Sequence, residues 1–420
     1  MRVDEAPRDV DTLAADALQA RTWYAGGANK LWRTLNDGSG WEVCQLFAET
    51  ETIWSISVNK ELAGCVAVAT REETDNGITS YVYVSRDCGE SWEKVDVREQ
   101  TRVEQMAWVM RDKVPVLLLA TDSGLHELAD PKPGVSSRPI LVTSRNQALG
   151  FWAVVSERDI AGNVVVAVAA QRLDPAKNDA AVYVSWNVCD SSMTDAEIKF
   201  RPMRKRESDN IRVLHLQRDG SRMYLWAGQF VDGSDPGKGC WRMELHSFVE
   251  DSPDDWKAYE KGWALADGRQ GAGSCRAIIT SGGTVFVASH RGGVMRLNPN
   301  VQDPVWERPN INSGLPLRAL DEGRLFAPVL TLATDPRQEL LLAGVGQVGR
   351  DNPDEGAIEN PGLYLCARNA VAEQAPYVDW TFTHVSAATF TDRVTLPENW
   401  LFVSGTHDIT VVSEHEAQRD

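Results

Sequence analysis

The side chains that could do chemistry in this 420-residue chain gather in a few loop-like stretches. Four stand out: residues 71–80 (REETDNGITS), 171–180 (QRLDPAKNDA), 229–239 (QFVDGSDPGKG) and 345–361 (VGQVGRDNPDEGAIENP). They supply Asp232, Asp235, Asp351, Asp354, Glu355 and Glu359, oxygen donors of the kind calcium takes. None has the twelve-residue spacing of an EF-hand loop, so no cofactor is expected, with calcium at such an acidic turn as the alternative. His290 and His407 each follow an apolar run directly and could face the same side as those loops. Two histidines in matching positions are too few for a four-histidine metal centre. No serine or cysteine stands in a nucleophile elbow. Glycine-rich pieces such as AGGAN and AGVGQVG flank strand-like runs and open no helix, so they offer no phosphate cradle. Seven cysteines are scattered, odd in number and without CxxC spacing. That pattern suits buried thiols better than a zinc site or a disulfide framework.

Positioning such loops takes a scaffold, and the scaffold is visible as a repeat. Short apolar runs ending in small residues recur along the chain. They are WYAG (23–26), VAVAT (66–70), LLLAT (117–121), VAVAA (166–170), YLWAG (224–228), VFVAS (285–289), LLLAG (340–344) and LFVSG (401–405). A shorter strand-like run precedes each and another follows, bounded by Gly, Asn, Asp or Pro, which is strand grammar. A repeat of this length suits the four-stranded blade of a β-propeller. The expected fold is therefore all-β, one propeller over residues 1–420. Its units lie near 8–47, 48–98, 99–144, 145–203, 204–262, 270–310, 325–386 and 387–420. Eight endings favour eight blades, with seven as the alternative. Arg2 and Val3 are the expected closing strand of the ring.

Two turns between a third and a fourth strand share one spelling. Thr34, Asn36, Gly38 and Trp41 stand in TLNDGSGW, and Ser85, Asp87, Gly89 and Trp92 in SRDCGESW. An Asp or Asn side chain accepts backbone N–H bonds in such a turn, and Gly relieves its backbone. The pattern resembles the Asp-box, or BNR, repeat of sialidase-like and photosystem II assembly factor-like propellers. Ser185, Trp186 and Asn187 begin a third copy that loses its Gly-x-x-Trp half. The resemblance implies a structural role for the box and leaves the reaction open.

In a propeller, loops joining second to third strands emerge on the rim opposite the box turns. The four long stretches therefore share one rim, and Asp75, Asp174, Asp232, Asp235, His290, Asp351, Asp354, Glu355 and His407 form the candidate binding rim. Tryptophans are numerous, and copies such as Trp54 could line a carbohydrate or protein surface. Without a legible catalytic signature, the expected function is a non-enzymatic binding or assembly scaffold for a protein or glycan. The alternative is a glycoside hydrolase or lyase of sialidase-like architecture, with arginines or paired acids at the axis. The net charge of −17 argues against nucleic acid as a partner. With no apolar leader-like segment and no apolar run long enough to span a membrane, the expected location is cytoplasmic.

Overall fold

The computed structural model describes residues 6–413 except 20, 76, 98–100, 144–148, 172–179, 189–197, 204–209, 232–234, 247–255, 265–270, 321–322, 336–339, 347–357, 359, 368–375, 386–399 and 405–408. Antiparallel sheets follow one another along the chain, each built from consecutive strands. Blade 1 holds Thr12–Ala15, Trp23–Gly27, Lys30–Thr34 and Glu42–Leu46. Blade 2 holds Glu51–Val58, Val66–Thr74, Gly77–Ser85 and Glu93–Val95. Blade 3 holds Val103–Arg111, Val114–Thr121, Gly124–Ala129 and Arg138–Ile140. Blade 4 holds Phe151–Arg158, Val164–Ala170, Val182–Ser185 and Arg201–Met203. Blade 5 holds Ile211–Asp219, Arg222–Gln229, Cys240–Leu245 and Lys257–Tyr259. Blade 6 has three strands, Cys275–Ser281, Thr284–Ser289 and Val294–Leu297. An isolated bridge between Arg296 and Glu307 lies at its outer edge. Blade 7 holds Val329–Thr334, Leu340–Val345, Gly362–Ala367 and Thr383–His384.

The ring has seven blades, not eight. The first strand of each blade packs on the first strand of the next, and that of blade 7 packs on that of blade 1. Across this closure the Leu13 N–H donates to Thr331 Oγ1 at 3.2 Å. Val10, Leu13, Trp23 and Trp41 meet Ala333, Leu342 and Leu363 in one apolar cluster there. The expected eighth unit is a two-stranded hairpin, Trp400–Ser404 with Ile409–Ser413. Its LFVSG ending misled because alternating apolar residues report a strand hairpin. Membership of the ring is decided by packing between sheets. Arg2 and Val3 lie outside the described residues, and the two ends of the ring meet without them.

Each boundary between neighbouring blades has its own apolar cluster. The second strand of blade 4 shows how the sequence makes two of them. Val164, Val166, Val168 and Ala170 face blade 3, while Val165, Ala167 and Ala169 face blade 5. Side chains alternate along a strand, so a strand buried on both faces reads as an unbroken apolar run. Full burial of all seven residues in this strand is the result.

The two matching turns fold alike. Ser85 Oγ accepts from the Gly89 N–H at 2.7 Å, and Asp87 Oδ1 from the Ser91 N–H at 2.9 Å. Thr34 Oγ1 accepts from the Gly38 N–H at 3.0 Å, and Asn36 Oδ1 from the Gly40 N–H at 2.8 Å. Gly38 and Gly89 have φ of 80° and 86°, a region open to glycine at little cost. Trp41 is buried at the boundary of blades 7 and 1, and Trp92 packs against that of blades 1 and 2. In the broken third copy, Asn187 Oδ1 instead accepts from the Lys199 N–H at 3.1 Å.

Candidate functional site at the axial mouth

Six of the seven innermost strands carry a bulge near their first residues. The unpaired residue is Trp54, Glu104, Trp152, Arg212, Arg276 or Leu330, in blades 2 to 7. Each bulge lies beside the small-residue end of its second strand, for example Ala69, Ala120, Ala169, Gly228, Ala288 and Gly344. The small residues leave room for the kinked strand. At Gly228 and Gly344 a Cβ would collide with the Cys275 and Thr331 side chains. Bulges re-aim side chains and recur beside functional sites. Here they set one residue from each of blades 2 to 7 at the end of the ring where the second-to-third connections emerge.

Those residues and their neighbours alternate cation and aromatic ring. Trp54 is 47% exposed, and the Arg71 guanidinium lies 3.5 Å from its ring centroid. Arg71 also donates to the Val103 carbonyl at 3.1 Å and pairs with Glu104 at 2.6 Å. Burial pulls the Arg71 guanidinium down to about 10, so it stays charged at neutral pH beside Glu104. Glu104 receives Arg102 at 2.7 Å and Gln171 at 3.4 Å as well. Arg212 lies 4.2 Å from the Trp152 ring and 3.6 Å from the Phe230 ring, and Arg276 is 4.9 Å from Phe230. The series continues to His290, whose Nε2 is 3.3 Å from Arg318. Burial, and then the charges of Arg276, Arg318 and Arg291, push the His290 imidazole down to about 3, so it is neutral at physiological pH. Such a mouth can stack an apolar ring face on Trp54 and donate hydrogen bonds from several guanidinium groups.

The structure places three of the nine candidate rim residues. Asp75 is exposed at a hairpin tip, because the expected loop 71–80 is largely strand: Val66–Thr74 and Gly77–Ser85 extend to meet there. Asp235 Oδ1 accepts from the Gly237 N–H at 2.8 Å, and its carbonyl accepts from Arg291, so Asp235 and His290 share one cluster. Asp174, Asp232, Asp351, Asp354, Glu355 and His407 lie outside the described residues. Among the described residues no group of three or more His, Cys, Asp or Glu is placed to hold a metal ion. No helix among them is long and apolar enough to cross a membrane. Sequence reasoning missed Glu104, Trp152 and Arg71 at this mouth. The signal was present in the small-residue endings, which mark where the neighbouring strand bulges.

The opposite rim holds a cavity of about 660 Å³ that the sequence did not suggest. Turns between first and second strands of blades 2, 3 and 4 line it, with Glu61, Asp112, Lys113, Arg158 and Asn163. Trp186, from the broken third box, forms part of its wall. Arg158 and Glu61 pair there at 2.7 Å.

No protein-family model and no curated protein matches the chain. Solved structures do match it as a fold. The GH74 xyloglucanase from Xanthomonas campestris aligns with a TM-score of 0.61 and 15% identity over 92% of this chain and 56% of its own. A GH74 enzyme from Niastella koreensis gives 0.53 and 11% over 91% of this chain and 55% of its own. YCF48 bound to a D1 peptide gives 0.52 and 12% over 90% of this chain and 97% of its own. The chain thus spans little more than half the length of the two GH74 proteins. At these identities the likeness is one of fold.

The comparison corrects three expectations. The non-enzymatic scaffold is no longer the favoured reading, because the fold is shared with the GH74 xyloglucanase as well as with YCF48 and so does not select a scaffold. The expectation that the chain is more often a non-enzyme than an enzyme is withdrawn with it, since propellers of this fold include GH74 enzymes. The cytoplasmic location is withdrawn as well, since it rested only on missing sequence signals and the GH74 and YCF48 likenesses lend it no support. The scaffold argument rested on the lack of a linear catalytic motif. A propeller assembles its site from one or two residues per blade, so such a motif is not required.

Proposed function

We propose that this chain cleaves glycosidic bonds in a polysaccharide lying across the axial mouth. The observation that carries this reading is the series of bulges that brings Trp54, Trp152, Arg212 and Arg276 to one end of the ring. Sugar rings stack on indole faces, and guanidinium groups donate to hydroxyl and ring oxygens. The acid and base of the reaction would be carboxylates of the same rim. Asp235 is the described candidate, with Asp75, Asp174, Asp232, Asp351, Asp354 and Glu355 as the others, and His290 and His407 as further polar contacts. The GH74 fold likeness supports this reading. We propose further that the two matching turns are Asp-box turns, structural in role.

Reducing-end release from xyloglucan, other neutral glucans and uronate-containing polysaccharides tests the proposal, run beside Trp152→Ala and Arg212→Ala. Activity on one class, lowered at least about tenfold in each variant without loss of fold, is expected. An inactive wild type that also fails to bind every class would overturn it.

A further inference from the structure

Two thiols meet at the boundary of blades 5 and 6. Cys240 opens the third strand of blade 5, and Cys275 opens the first strand of blade 6. Their sulfur atoms are 3.9 Å apart, and both residues are buried, at 0% and 1% exposure. The approach depends on Gly228, which pairs with Cys240 in the sheet. A Cβ at Gly228 would run into the sulfur and the Cβ of Cys275. The surrounding cluster is apolar, with Trp226, Tyr259, Trp263 and Met295 among its members. No metal centre explains the pair, since no group of three or more possible ligands forms among the described residues.

We propose that Cys240 and Cys275 are an oxidative modification site, forming a disulfide that staples blade 5 to blade 6. The chemistry requires an oxidant, and a small disulfide such as oxidised glutathione suffices. The thiolate of one cysteine attacks a glutathione sulfur, and one glutathione thiolate leaves. The second cysteine thiolate then attacks the mixed disulfide at the protein sulfur, and the other glutathione thiolate leaves. Two thiols become one disulfide, and one oxidised glutathione becomes two reduced molecules. Burial, with the Cys275 thiol beside it, pushes the Cys240 thiol far up, so the folded ring shields the pair from exchange. The bond therefore forms while the boundary is still open during folding, and it resists reduction afterwards.

The staple bears on the mouth. Cys275 immediately precedes the bulged Arg276. The Ser274 carbonyl accepts from the His290 N–H at 3.0 Å, and the Ser274 hydroxyl donates to the Val231 carbonyl at 2.8 Å. Linking the two blades thus fixes the strand start from which Arg276 and His290 are held.

The test refolds the full chain from denaturant in a glutathione redox buffer. Remaining thiols are alkylated under denaturing conditions, and unreduced peptides are read by mass spectrometry. A peptide pair joined through Cys240 and Cys275 is expected. Chain refolded in the presence of excess reductant, and kept reduced, should melt about 3 °C below chain refolded in the glutathione redox buffer. The Cys240→Ala/Cys275→Ala double variant should show no such response. Quantitative alkylation of both cysteines, or either one linked to a different cysteine, would overturn the proposal. The peptide result uses the unaltered protein, so it stands even if the double variant fails to fold. It is also independent of any sugar assay.

Discussion

Arg71 and Glu104 pair at 2.6 Å across the boundary of blades 2 and 3, both nearly out of solvent. Arg71 leaves the second strand of blade 2, and Glu104 is the bulged residue of the innermost strand of blade 3. Removing one partner of a buried pair leaves the other charge uncompensated, at a cost of about 3–5 kcal/mol. Glu104→Ala should therefore destabilise by about 3 kcal/mol in urea unfolding. It should also alter Trp54 fluorescence, because Arg71 stacks on that ring. A double-mutant cycle with Arg71→Ala should give a coupling well above 1 kcal/mol. Additive losses would show that the two residues do not act together.

Stability should fall on acidification below the ordinary histidine range. His290 is driven down to about 3, and His215, whose Nε2 is 2.9 Å from Thr280 Oγ1, to about 4, both chiefly by burial. A lowered folded-state value means that the unfolded chain binds the proton first. The contribution is complete above pH 6.5 and is lost as pH drops towards 4 and 3. Each group adds a slope of about 1.4 kcal/mol per pH unit within its window. His215→Gln should flatten the profile between pH 6 and 4, measured by denaturant titration at each pH.

The two box tryptophans should differ in weight. Trp41 is wholly buried at the closure of the ring, whereas Trp92 keeps partial exposure and bonds the Gly89 carbonyl at 3.2 Å. Trp41→Ala should cost about 4 kcal/mol and Trp92→Ala about half as much. Differential scanning calorimetry of the two variants gives the order. Equal losses would mean that the closure is no weaker a point than the boundary of blades 1 and 2.

Seven-fold closure makes a prediction about truncation. The ring is complete at Val385, whose N–H donates to the Leu363 carbonyl at 2.8 Å. A chain ending at residue 386 should fold, with the far-ultraviolet spectrum and cooperative melting of the full chain. Loss of cooperative unfolding would show that residues 387–420 are part of the closure after all.

The repeat and its strands were legible because a strand buried on both faces leaves an apolar run that local reading detects, as in Val164–Ala170. The box turns were legible because Ser85, Asp87 and Gly89 make their hydrogen bonds within a few residues of one another. The mouth was only half legible. Trp54 could be named as a surface aromatic, but Arg71 and Glu104 come from different blades, and nothing local ties them together. The 71–80 stretch looked like loop for its charges, yet it continues the ladder to Thr74 and Gly77.

The sequence by itself determined the all-β blades, the order of their strands and which rim carries the box turns. Each of these follows from side-chain alternation and turn chemistry within some tens of residues. The tertiary structure alone decided that the ring closes at seven and that the bulges align at one end. It also set Cys240 against Cys275. These depend on which sheet packs on which, a matter of contacts between residues far apart in the chain that no local pattern encodes.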